Sequence, residues 1–204
     1  MSKITEHDVE QRSDEWFDLR KGRIGGSEAH RITTLAKMKT VVTEKIEEIL
    51  IPSDNDEVFS GEAAEYGIEH EGEASFAFEL ETGLTTTEIG YVTNSRYKYA
   101  GLSPDRSFSD SGRLEIKCPQ PKAHINMIIS GKPEPNYMNQ ILWYFMVDDR
   151  VETVYFMSYC PMIKGKEILL IEYKRASLVE DIKKMDTYYL KFEKTLESSL
   201  KLFK

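Results

Sequence analysis

The sequence predicts an α/β protein with a central mixed β-sheet flanked by helices. Three observations point there. Helical patterns fill roughly the first 84 residues, strand patterns concentrate between Thr85 and Cys118, and strands then alternate with helices. At 204 residues the chain suits one domain and can bury a sizeable core.

The elements follow in order. Ser13, with Asp14 and Glu15 behind it, caps a helix over 13–21 that carries Trp16, Phe17 and Leu19 and ends at Gly22. A second helix is expected from about Ser27 to Lys37 and a third over 42–50. Ile51-Pro52-Ser53-Asp54-Asn55-Asp56 is a loop by composition. Residues 62–82 form a long helix closed by Gly83. Thr85 to Thr93, rich in Thr with Ile89, Tyr91 and Val92, is a strand, and 97–108 and 113–118 are two more. Helices return at about 121–130 and 136–147. Val151–Tyr159 and Glu167–Tyr173 pair about a Lys164-Gly165-Lys166 turn, and a last helix covers about 176–198.

Net charge is −8, with 27 Lys plus Arg against 35 Asp plus Glu. The acid is uneven: residues 1–60 carry −4, 61–110 carry −7, and 111–204 carry +3. This argues against a basic DNA-coating protein but leaves room for a nucleic-acid enzyme, where local charge decides. No apolar run reaches the roughly 18 residues of a membrane span, and the N-terminus has no secretory pattern. Two cysteines, Cys118 and Cys160, make neither a disulfide framework nor a four-cysteine site, so a reducing cytoplasm is expected.

The most informative stretch is Ser103-Pro104-Asp105 followed by Leu114-Glu115-Ile116-Lys117-Cys118. Alternation places Glu115 and Lys117 on one face of a strand and Leu114, Ile116 and Cys118 on the other. A turn at Ser109-Asp110-Ser111-Gly112 folds the strand back beside Asp105. Two carboxylates suit a hard divalent cation, which polarises a phosphodiester and acidifies an attacking water. Lys117 has three uses: orienting that water, deprotonating it, or neutralising the charge of the transition state. In the 62–82 helix, Glu71 shares a face with Ala64, Ile68, Ser75 and Phe78, and a carboxylate there needs a cationic side chain or a metal.

These residues resemble the PD-(D/E)xK nuclease signature and, more narrowly, the phage lambda exonuclease family of YqaJ-type viral recombinase nucleases. The resemblance extends to Trp16-Phe17-Asp18-Leu19-Arg20-Lys21-Gly22-Arg23-Ile24-Gly25-Gly26-Ser27, to Tyr66-Gly67-Ile68-Glu69-His70-Glu71, and to Tyr137-Met138-Asn139-Gln140. The blocks keep the family's order over about 12–147.

The resemblance implies a restriction-endonuclease-like core in a single nuclease domain over 1–204. Its helical part would cover about 1–84, its catalytic core about 62–175 and its last helix about 176–198. It implies metal ligation by Asp105, Glu115 and the Ile116 carbonyl, with Glu71 completing a two-metal Mg²⁺ site where Mn²⁺ can substitute. It makes Lys117 the catalytic lysine and Arg20 the ligand of a DNA 5′-phosphate. Ser27 would support that phosphate from a helix N-terminus, and Gln140 would stand at the rim. The implied activity is 5′-to-3′ digestion of one strand of linear duplex DNA. The implied partners are double-stranded DNA ends, two further copies in a trimeric ring, and a single-strand annealing protein, in the cytoplasm of a bacterial host and without a membrane.

The sequence departs in places. Arg106 stands where Gly is frequent, Leu142 where a second Gln is frequent, and Gly25-Gly26 where Thr and a small residue are commoner. Two alternatives remain open: another endonuclease of the superfamily, and a noncatalytic DNA-binding scaffold on the same fold. Trp16, Phe17, Trp143, Tyr144 and Phe145 read as core, and Cys118 as a buried thiol.

Overall fold

The computed structural model describes residues 3–51 and 62–203, so Pro52–Asp56 of the expected loop lie outside the described residues. The chain opens with β1 (Ile4–His7), α1 (Asp14–Arg20), a 3-10 helix (Gly26–Ile32) and α2 (Leu35–Leu50). Then come α3 (Glu62–Thr82), β2 (Tyr91–Asn94), β3 (Arg106–Ser109) and β4 (Gly112–Lys117). The last part holds α4 (Pro121–Ser130), α5 (Pro135–Val147), β5 (Thr153–Tyr159), β6 (Ile168–Lys174) and α6 (Val179–Leu200).

The central sheet has the order β3-β4-β5-β6 and is mixed, as the sequence predicts. β4 and β5 run parallel, and the other two pairings are antiparallel. A parallel pair cannot be joined by a tight turn, and α4 with α5 supplies the crossover. β1 and β2 form a separate antiparallel pair.

The sheet is covered on both faces. Leu114 and Ile116 of β4 pack with Ala74 and Phe78 of α3. On the other face Val154 and Phe156 of β5 join the larger cluster, built on α5 and on the α6 stripe Met185, Tyr189, Phe192 and Leu196. That stripe steps by four, three and four residues, the spacing of one helix face. Gln140 to Val147 of α5 are all buried, so this helix has no solvent face there.

Several expectations need correction. The helices expected over 27–37 and 42–50 are instead a 3-10 helix and one α-helix. The break falls at Thr33-Thr34, where Thr34 is extended (φ −129°, ψ 147°) and starts α2. Beyond it Met38, Val41, Val42 and Lys45 keep a helical stripe through the expected gap. The Thr85–Thr93 strand shortens to Tyr91–Asn94 because Glu79 takes the Thr86 amide (2.6 Å) and hydroxyl (2.7 Å). The 97–108 strand shortens to Arg106–Ser109, the preceding stretch making only isolated bridges at Ala100 and Leu102. β1 pairs only through four residues and was not foreseen.

Candidate active site

The β3–β4 hairpin brings the two carboxylates together. Arg106 faces Leu114, which sets Asp105 level with Glu115. The Ile116 amide donates to Asp105 Oδ2 at 2.6 Å and fixes that carboxylate. Glu115 is fully buried. The Tyr144 hydroxyl donates to its Oε2, and Lys117 forms an ion pair with its Oε1. Asp105, Ile116 and Lys117 open into a cavity of about 360 Å³.

Charge and burial set the protonation pattern. Burial, then the neighbouring Glu115, push the Asp105 carboxyl well above its ordinary value, although Lys117 and the Ile116 amide oppose them. Burial alone would lower the Lys117 ammonium, but Glu115 and Asp105 outweigh it and hold the pKa above its ordinary value. Lys117 is therefore a cation here, and its side chain keeps 24% of its surface open. Burial, with Glu115 and Asp105 next, raises the Tyr144 phenol and keeps it a donor.

Arg20 and Ser27 line the same cavity. The Arg20 guanidinium lies over the Trp16 ring, 4.2 Å from its centroid. Trp16 is buried as expected, and its indole donates to Ser103 Oγ at 3.0 Å. Ser27 does not open an α-helix as expected. It lies in the 3-10 helix, and the Gly25 amide is already taken by Glu28 at 3.1 Å. Gln140 is buried at the cavity wall. A Cβ on Gly26 would come within 3.0 Å of Gln140 Cγ, which accounts for glycine at this departure from the family pattern.

Glu71 also lines the cavity, but its carboxylate is already engaged. Arg12 Nη2 stands 3.5 Å from one oxygen and Arg106 Nη2 3.9 Å from the other. Of its expected face, Ser75 and Phe78 are buried and Ile68 is exposed, while the Ala64 side chain lies outside the described residues.

Residues 15–151 match the YqaJ-like viral recombinase domain, which covers more than half of the chain. The chain belongs to this YqaJ-like family.

Solved structures agree with the assignment. An alkaline exonuclease, LHK-Exo, from Laribacter hongkongensis is 26% identical with a TM-score of 0.78, covering 93% of this chain and 97% of that one. LHK-Exo in complex with dAMP is 27% identical with the same TM-score, covering 93% and 100%. A phage-related exonuclease from Haemophilus somnus 129PT is 15% identical with a TM-score of 0.57, covering 87% and 96%, and shows the fold alone. No curated protein matches the chain. Family and neighbours together support a phage-type exonuclease. Among the described residues no helix is long and apolar enough to cross a membrane.

In this YqaJ-like chain the oxygen set fits one hard cation. Asp105 and Glu115 offer carboxylates, that of Glu115 held through Oε1 by Lys117 and through Oε2 by Tyr144. Mg²⁺ commonly takes one or two carboxylates and keeps several waters. Among the described residues no three His, Cys, Asp or Glu side chains stand together as a metal site.

Three residues at the site escaped the sequence reading, two on the cavity wall and one, Tyr144, buried behind Glu115. Tyr144 read as packing, yet Tyr137, Gln140 and Tyr144 fall at i, i+3 and i+7 on α5. A hydroxyl on that stripe was the available signal. Ser103 was noted only for the strand end, although its side chain reaches the cavity. Cys118 is half-buried and lines the cavity instead of packing wholly inside, with burial pushing its thiol up to about 12.

Proposed function

We propose that this protein is a Mg²⁺-dependent exonuclease. It digests one strand of linear double-stranded DNA from the 5′ end and leaves a 3′ overhang for single-strand annealing recombination. The observation that carries this reading is that Asp105 and Lys117, the latter paired with the buried Glu115, line the cavity that Arg20 and Ser27 also line. LHK-Exo in complex with dAMP supports a deoxynucleoside monophosphate as product.

Asp105 and Glu115, with the Ile116 carbonyl, would hold the ion, and Mn²⁺ would substitute. Bound there, the ion would neutralise the scissile phosphate and make an attacking water more acidic. The chain's own groups do the rest. Lys117, a cation paired with Glu115, balances negative charge that grows on the phosphoryl oxygens. Arg20 and Ser27 bind the terminal 5′-phosphate and set which bond reaches the carboxylates. Gln140 bounds the wall beside them. Three copies form a ring that threads the duplex, and a single-strand annealing protein receives the exposed 3′ strand, in the cytoplasm of a bacterial host.

The test is digestion of end-labelled linear duplex with Mg²⁺ or with EDTA, beside a closed circle, with the mass of the assembly measured by light scattering. Loss from the 5′-phosphorylated end, sparing the circle, supports the exonuclease. Nicking of the circle would move the assignment to an endonuclease, and binding without cleavage under any divalent ion would leave a scaffold.

A further inference from the structure

We propose that this protein works with one divalent ion, and that Arg12 and Arg106 fill the place a second ion would take beside Glu71. The inference rests on the metal-dependent nuclease reading and specifies its centre.

Each oxygen of Glu71 faces a different guanidinium. A second ion at this carboxylate would have to displace both. Arginine stays charged at every pH the protein meets, so deprotonation offers no release.

Arg12 is held in place by the backbone. Its φ of 71° is the left-handed region, and among the described residues no other non-glycine residue has positive φ. The turn is closed by the Ser13 amide and hydroxyl on the Glu10 carbonyl, at 3.2 and 2.7 Å. The Gln11 side chain then ties it to the carbonyls of Ile89 (2.9 Å) and Pro104 (2.8 Å). Pro104 directly precedes Asp105, so the turn that presents Arg12 is fastened to the segment that presents the metal carboxylate.

Arg106 follows Asp105 in the chain and keeps only 17% of its side chain exposed. It bridges Glu71 and Glu88, the latter at 3.0 Å, and its Nε is buried with no hydrogen-bond partner among the described residues. A guanidinium this enclosed needs its carboxylates.

Charge favours the same conclusion. Arg12, Arg20 and Lys117 line the cavity, and Arg106 pairs with Glu71 beside it. A second ion at Glu71 would sit against two guanidiniums, where like charges repel strongly. The arginines can neutralise phosphate but cannot acidify water, so one ion remains necessary.

The experiment counts Mn²⁺ bound to the full chain, by titration calorimetry and by electron paramagnetic resonance of free Mn²⁺. The wild type should bind one ion per chain, and Glu71→Gln should leave that count at one. Arg12→Asn with Arg106→Gln should bind two. Asn tolerates the left-handed backbone at 12, so the turn is kept. Two ions on the wild type, a lost ion in Glu71→Gln, or a single ion on a folded double variant would each overturn the proposal. Two ions together with normal digestion would sink only this inference. Failure to bind Mn²⁺ and to cleave DNA would remove the nuclease reading itself.

Discussion

The Tyr144 hydroxyl donates to Glu115 Oε2 while Lys117 pairs with Oε1, so a phenol and an ammonium each hold one oxygen of this buried carboxylate. The Asp105 backbone also directs a hydrogen bond at the same hydroxyl. One side chain of α5 thus fixes both strands that carry the acidic pair. Partners behind a metal ligand typically contribute about 10–100-fold to affinity or activity. Tyr144→Phe keeps the ring and removes the oxygen. Mn²⁺ affinity should fall by about that factor while the thermal midpoint stays close to wild type. Unchanged affinity would mean that Tyr144 only packs.

Lys117 pairs with Glu115, and its raised pKa keeps it charged through neutral pH. Removing a preorganised charge of this kind costs about 10²–10³ in turnover. Lys117→Ala should lose at least that much in single-turnover cleavage while duplex ends still bind. Substantial cleavage by Lys117→Ala would place the essential cation elsewhere, with Arg12 the first candidate.

Much of this was legible because strand alternation is unforgiving. Glu115 and Lys117 must share a face, and a short turn must return the strand to Asp105. The mixed sheet and the helices α3 to α6 were likewise readable from their periods. The helix break at Thr33-Thr34 was not, since a β-branched pair is a weak signal and the stripe continues past it. Nor was the loss of the Thr85–Ile89 strand, because it depends on the Glu79 side chain reaching Thr86 across the end of α3. The engagement of Glu71 by Arg12 was also hidden. Those residues are 59 positions apart, and only the fold brings them together.

Arg20 stacks on Trp16 and lines the cavity, and the proposed function makes it the ligand of the terminal phosphate. A charge-assisted hydrogen bond to phosphate is worth about 1.5–3 kcal/mol, or roughly 10–100-fold in affinity. Arg20→Ala should weaken 5′-phosphorylated ends by that factor and leave 5′-hydroxyl ends nearly unchanged. The comparison is a ratio of kcat/KM for two duplexes that differ only in the terminal phosphate. Equal losses on both ends would assign Arg20 to the DNA backbone in general.

The far end of the sheet is held by Asp148, fully buried between Arg113 (3.2 Å) and Arg150 (2.7 Å). Burial alone would raise its pKa, but the hydrogen bonds and charge of Arg150, with Arg113 behind them, lower it below the ordinary value. The unfolded value is about 3.9. A folded pKa below the unfolded one stabilises the protein above about pH 5, and that contribution is lost as pH falls through the folded value. Leaving Arg113 buried without its carboxylate costs about 3–5 kcal/mol. Asp148→Asn should therefore be less stable than wild type by about that amount at pH 7. The gap should narrow steadily below about pH 4, as wild-type Asp148 takes up its own proton. Urea denaturation of both proteins at pH 7, 5 and 3 measures this directly. A gap independent of pH would show that the Asp148 charge contributes nothing and that only its hydrogen-bond geometry matters.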